Sequence, residues 1–215
     1  MNKMNNLKKI FFPVVVLELT VVLAFALFTF NSCATTGSLK GRHRHHIQLS
    51  RRILDQGQLT ADQLADYFVS RNTEADRDHI VQFAQYYIDE AAAEGINSDV
   101  AFAQMCLETG FLRFGGLVQP EFHNYCGLGA MDADHPGEIF ETEELGVRAH
   151  IQHLQAYATT EEVALHKELV DPRYNWVHKT KFIENIFELT GTWATDPHYG
   201  EKIDGLLSAM EVFGY

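Results

Sequence analysis

The chain has little basic charge and few cysteines. Its 17 Lys and Arg stand against 29 Asp and Glu, a formal net charge of -12. The first 33 residues hold Lys3, Lys8, Lys9 and Glu18, a net of +2, which leaves -14 for the rest. Phosphate backbones need a basic patch, so no nucleic-acid partner is expected. A polymer read by hydrogen bonds and stacking, such as a glycan, is not excluded. Beyond Cys33 the only cysteines are Cys106 and Cys126, and no zinc site is evident. No internal repeat is present. No metal and no cofactor are expected.

The sequence is otherwise that of a globular chain, with 46% hydrophobic and 21% charged residues in 215. That length allows one domain of ordinary size, read as a monomer. Lys8 and Lys9 precede an apolar run from Ile10 to Phe30, and Asn31-Ser32-Cys33 follows. A basic start, an apolar stretch and a small residue before the break form a secretory signal. The Ser32-Cys33 pair resembles the lipobox of bacterial lipoproteins, which implies that Cys33 is lipidated and anchors the chain to a membrane. Phe30 and Asn31 depart from the usual lipobox residues. The alternative is an uncleaved membrane helix, since about 20 apolar residues span a bilayer. Both place the domain in the cell envelope, outside the cytoplasmic membrane. The organisation read here is a signal over 1–33, a tether over 34–58 with the run Arg42-His43-Arg44-His45-His46, and a domain over 59–215. The His-rich run has no acidic or cysteine company and reads as solvated linker.

Helices dominate the domain. Thr60-Ala61-Asp62-Gln63 has the form of a capping box, with Leu64, Tyr67 and Phe68 at helical spacing. A second helix is expected from about Glu74 to Glu94, with Gly95 as its stop. The third, capped by Ser98, is apolar on nearly every side from Val100 to Leu107, the pattern of a helix through a core. Gly, Pro, Asn and Asp then punctuate Leu117 to Phe140, as in a small β-rich lobe. Further helices are expected from Glu143 to Tyr157, from Lys181 to Leu189, and from Asp196-Pro197 onward.

Glu108 is the first strong charge after Asp99 on the buried third helix. It sits near the negative end of the helix dipole, beside Leu107, Phe111 and Phe114. Both features disfavour the carboxylate and raise the pKa. A carboxylic acid that keeps its proton near neutral pH suits glycosidic cleavage, where the leaving oxygen must be protonated. Most helix-end glutamates are solvated, so position alone does not make this one catalytic.

Ala103-Gln104-Met105-Cys106-Leu107-Glu108-Thr109-Gly110 resembles the A-Q-x-x-L-E-[ST]-G motif of the bacterial glucosaminidases, glycoside hydrolase family 73. Asn124-Tyr125-Cys126-Gly127-Leu128 resembles that family's N-x-x-G-[IL] segment. The stretch Gly146 to Leu154 resembles a helix that follows the family's β-lobe. Trp193-Ala194-Thr195-Asp196-Pro197-His198-Tyr199 with Lys202-Ile203 resembles its closing motif. The resemblance runs from about Asp78 to the C-terminus, four motifs in order. It implies a mainly α (α+β), lysozyme-like fold with a small β-lobe beside a cleft. It implies hydrolysis of the β-1,4 bond after N-acetylglucosamine in peptidoglycan glycan strands. On that resemblance Glu108 is the catalytic acid, and Tyr199 orders the substrate or the attacking water. Gln104, Asn124, Gly127 and Trp193 are expected to bind substrate or shape the cleft.

A second carboxylate is less defined. An inverting mechanism places a base about 6.5–9.5 Å from the acid, and a retaining one a nucleophile at about 5–5.5 Å. Glu138, Glu141, Glu143 and Glu144 lie near the end of the lobe, and Glu141 and Glu143 are the candidates by position. Assistance by the substrate's own N-acetyl group is the alternative. His150 and His153 have the i, i+3 spacing of a metal pair but no third ligand. Cys106 and Cys126 are either two buried thiols or a bridge bracing the cleft. Two other functions stay open: a lytic transglycosylase on the same fold, and a non-catalytic peptidoglycan-binding scaffold.

Overall fold

The computed structural model describes residues 47–160 and 163–213. The expected signal over 1–33, with Cys33, and the His-rich run lie outside the described residues. Helix α1 (Ala61–Arg71) begins at Thr60, whose side chain and that of Gln63 satisfy each other's backbone amides in the expected capping box. Helix α2 (Arg77–Glu94) begins at Asp76, later than Glu74, because the Asp76 carboxylate accepts the Asp78 amide. It ends at Gly95 in the left-handed region, φ 73°. Helix α3 (Ser98–Thr109) is capped one residue before Ser98, by Asn97, whose side chain accepts from Asp99 and Val100.

Helix α3 is the axis of the fold. Val100 through Cys106 are fully buried, and α1, α2, α4 (Glu143–Ala158) and α6 (Tyr199–Phe213) all pack on it. Its lack of a polar side follows from this: every face meets another element. Together the helices form the mainly α, lysozyme-like architecture that the resemblance implies.

Several boundaries differ from expectation. Residues 47–58 are no free tether. Leu49 and Ile53 are core residues, and Ile53 exchanges backbone hydrogen bonds with Glu184 and Asn97 at 3.0 and 2.9 Å. Arg51 reaches Asp204 at 2.6 Å and also pairs with Glu211. Ile47, Leu49, Ile53 and Leu54 in a polar stretch were too few and too unevenly spaced to show a periodicity. The expected helix over Lys181–Leu189 is also corrected. Helix α5 (Tyr174–Thr180) ends before it, and only Ile186–Leu189 coils, as a 3-10 turn. The Ile183 amide bonds to the Tyr157 carbonyl at 2.8 Å, drawing the chain flat onto α4. Helix α6 starts at Tyr199, after a turn in which Asp196 accepts the His198 amide at 2.9 Å.

The lobe over 117–140 contains turns in place of strands. Among the described residues it has one 3-10 turn, Pro120–Phe122, and one isolated antiparallel bridge between Asp132 and His135. Asn124 holds it together. Its amide donates to the Leu128 and Glu138 carbonyls at 2.9 and 3.0 Å, and its oxygen accepts from the Leu128 amide at 2.9 Å. A buried side chain thus supplies bonds that a ladder would otherwise make. The lobe is pressed onto α4 at Gly146, where an added Cβ would lie 1.8 Å from the His123 carbonyl oxygen. Gly146→Ala should therefore destabilise the fold by about 2 kcal/mol, read as a lower urea midpoint. An unchanged midpoint would show that the lobe moves aside freely.

Candidate active site

The backbone after α3 explains how Glu108 is presented. Gly110 turns left-handed at φ 58°, and Phe111, Leu112 and Phe114 follow at φ 60°, 57° and 44°. Side-chain-bearing residues enter this region at a cost, so contacts must hold the turn. Phe111 packs on Phe68 with ring centroids 5.5 Å apart, and Asn72 donates to the Phe111 carbonyl at 2.9 Å. Thr109 accepts the Leu112 amide at 2.9 Å. The chain thereby leaves the helix axis sharply, and Glu108 faces an open cleft.

Two adjoining hollows of about 490 and 180 Å³ share Glu108, Gly127 and Ala130 in their linings. Trp193, Tyr157, His153, Arg173 and Trp176 line the larger one. Phe114, Leu117 and Asn124 line the smaller. Glu108 is the carboxylate present in both linings.

Two donors converge on one oxygen of that carboxyl. Tyr199 donates its hydroxyl to Oε1, and the Trp193 indole donates to the same atom at 3.2 Å. Oε2 is left for the proton. The side chain opens to the cleft, yet protein crowds its other sides. That desolvation raises the pKa above the usual carboxylate range. The bonds from Tyr199 and Trp193 oppose the rise without cancelling it.

Tyr199 is itself the end of a buried chain of donors. The Gln104 amide donates to the Tyr199 oxygen at 2.9 Å. The Gln104 carbonyl oxygen faces His150 Nε2 at 3.1 Å, so that nitrogen must carry the proton. His150 Nδ1 then accepts from the Tyr87 hydroxyl at 3.0 Å. Burial pushes His150 down to about 3, so it stays neutral and keeps this single tautomer. Tyr87, His150, Gln104 and Tyr199 thus point one way, from the core to Glu108. Each neighbour leaves the next only one orientation.

Measured against the sequence reading, Tyr199 and Trp193 meet Glu108, and Asn124 and Gly127 form cleft wall. Gln104 is fully buried behind Tyr199 and meets the cleft through its hydrogen bond to that hydroxyl. Glu141 and Glu143 are not brought to Glu108: neither lines either hollow. Glu143 begins α4, where a carboxylate suits the positive end of the dipole, and accepts from His79 at 3.0 Å. Glu141 is exposed. Glu138 lies against Gly129, and Glu144 pairs with Arg148 at 3.4 Å.

His150 has both ring nitrogens engaged and cannot ligate a metal beside His153. His153 bonds through Nδ1 to the buried Asp171 at 2.8 Å, which leaves Nε2 as the acceptor. Cys106 and Cys126 are two free, buried thiols with no bridge. Burial pushes both well above the usual thiol range, which keeps them protonated and inert. Arg173, Trp176 and Tyr157 were missed as site residues. Asp171-Pro172-Arg173 showed only a break in the chain, and nothing local says that α5 folds back over the cleft.

Comparison with known proteins agrees with this geometry. A family model described as "Glucosaminidase: Mannosyl-glycoprotein endo-beta-N-acetylglucosaminidase" matches residues 84–211. A protein of Borreliella burgdorferi, described as an uncharacterized protein, is 39% identical over 163 residues, 76% of this chain and 78% of its own. No solved structure matches the chain.

Proposed function

Because the chain belongs to the mannosyl-glycoprotein endo-beta-N-acetylglucosaminidase family, and so is a glycoside hydrolase, we propose that it cuts peptidoglycan after N-acetylglucosamine. The observation that carries this reading is the raised, two-donor carboxyl of Glu108 at the junction of the two hollows. With Oε1 held by Tyr199 and Trp193, the proton resides on Oε2. Glu108 gives it to the oxygen leaving C1 of the N-acetylglucosamine as the C1–O bond breaks. Its carboxylate, once formed, is stabilised by the same two donors.

The attacking group is then the question. Glu141 and Glu143 stand off the cleft, which favours attack by the substrate's own acetamido oxygen on C1. A cyclic oxazolinium forms as the bond to the leaving sugar breaks. Water then adds at C1 as the oxazolinium C1–O bond breaks and the acetamido group is regenerated, and it passes a proton to the Glu108 carboxylate, restoring the acid. Two displacements at one carbon retain configuration.

The domain acts in the cell envelope, in this reading, and is anchored through lipid on Cys33. Mass spectrometry of digested peptidoglycan provides the test. Reducing N-acetylglucosamine ends are expected. Anhydro-muramic ends would instead support a lytic transglycosylase, and uncut glycan with binding intact would support a scaffold.

A further inference from the structure

We propose that the α5 side of the cleft is a carboxylate-binding subsite that seats the anionic, muramic-acid-bearing part of the glycan strand. The proposal rests on the reading of the substrate as peptidoglycan and adds which part of it is held here. Among the described residues Arg51, Arg77, Arg148, Lys167 and Lys202 pair with carboxylates, and Arg52, Arg71, Arg113, Arg173, Lys179 and Lys181 form no such ion pair. Of these six, Arg173 and Lys181 line the hollow that contains Glu108. No carboxylate besides Glu108 is in that lining. The nearby Asp171 is buried and already bonded to His153 at 2.8 Å.

The two cations stand at the two ends of α5 and line the same hollow. Arg173 starts α5 and lies over the Trp176 ring, 5.7 Å from its centroid. That contact orients the guanidinium without neutralising it. Its charge is felt across the hollow at Tyr157, where it opposes the rise that burial imposes on the phenol. Lys181 stands just past the other end of α5. Trp176 is 56% exposed, enough to offer a face to a sugar ring beside the charged pair. A fork of donors, an ammonium and an aromatic face fit a saccharide bearing a carboxylate. An anionic strand approaching a net charge of -12 meets attraction at this arm.

Two sources supply that chemistry: the carboxylates of a stem peptide, and the lactyl carboxylate exposed once the peptide is removed. The test measures binding, so that it does not depend on turnover. The full-length Glu108→Gln chain is titrated with peptide-bearing glycan strands, amidase-stripped strands and uncharged N-acetylglucosamine oligomers. Adding Arg173→Gln or Lys181→Gln should weaken binding to anionic strands by roughly tenfold each. Arg173→Lys should recover part of the loss. The difference should shrink as salt rises, and the uncharged oligomers should bind equally to all forms. Loss confined to peptide-bearing strands identifies the stem peptide, loss confined to stripped strands identifies the lactyl group, and loss on both anionic strands shows that either carboxylate is seated. Equal loss on the uncharged oligomers, or no loss on any strand, would overturn the subsite. Absence of cleavage by the unsubstituted chain, with these binding differences intact, would count against the hydrolase reading alone.

Discussion

Glu108→Gln is expected to lower glycan cleavage by about 10³-fold while leaving the thermal midpoint of unfolding near its original value. The amide keeps an oxygen where Tyr199 and Trp193 donate, so the local hydrogen bonds survive. What is lost is the proton for the leaving oxygen. A count of new reducing ends measures the first quantity and a melting curve the second. The unsubstituted protein should also lose kcat/KM as pH rises through the raised pKa of Glu108. The acid must be protonated to act, and burial keeps it so to a higher pH than a solvated glutamate. Full activity in Glu108→Gln with an unaltered fold would end the assignment.

Gln104→Leu should weaken both the fold and the chemistry. It leaves the His150 Nε2–H without an acceptor and the Tyr199 oxygen without its donor, both in buried surroundings. An unmet buried polar group costs about 1–3 kcal/mol, so a total near 3 kcal/mol is expected in urea titration. The kinetic readout separates positioning from stability. Tyr199 donates to Glu108 and so holds its pKa down. Tyr199→Phe removes that bond outright, and Gln104→Leu loosens it. In both, the alkaline limb of kcat/KM should move to higher pH, further in Tyr199→Phe, while kcat falls. A limb that stays put, with only the melting point lowered, would make the chain of donors purely structural.

The same chain predicts a trend in stability. His150 is held near 3 when folded and returns to the ordinary imidazole value when unfolded. Between those values the unfolded chain binds the extra proton, so stability falls as pH drops from about 6.5 toward 3. Glu108 acts in the opposite sense, since its folded form takes a proton more readily.

The sequence by itself determined the helices whose ends carry their own signals. Thr60 with Gln63 and the glycines at 95 and 110 needed no tertiary context, because capping bonds close within a few residues. The apolar run from Val100 to Leu107 showed a helix through a core, and the motif around Glu108 placed an acid at its end. The short segment at Leu49 and Ile53 was illegible, since its partners are distant in sequence: Asn97 before α3, Glu184, and Asp204 and Glu211 in α6. Tertiary structure alone decided what surrounds the acid. Tyr199 and Trp193 reach it from 91 and 85 residues away, and His150 reaches Gln104 across 46. It placed Gln104 in the core and Glu143 in the first turn of α4, and it brought Arg173 to the wall. Those outcomes depend on which helix faces pack together, and no local pattern of residues encodes them.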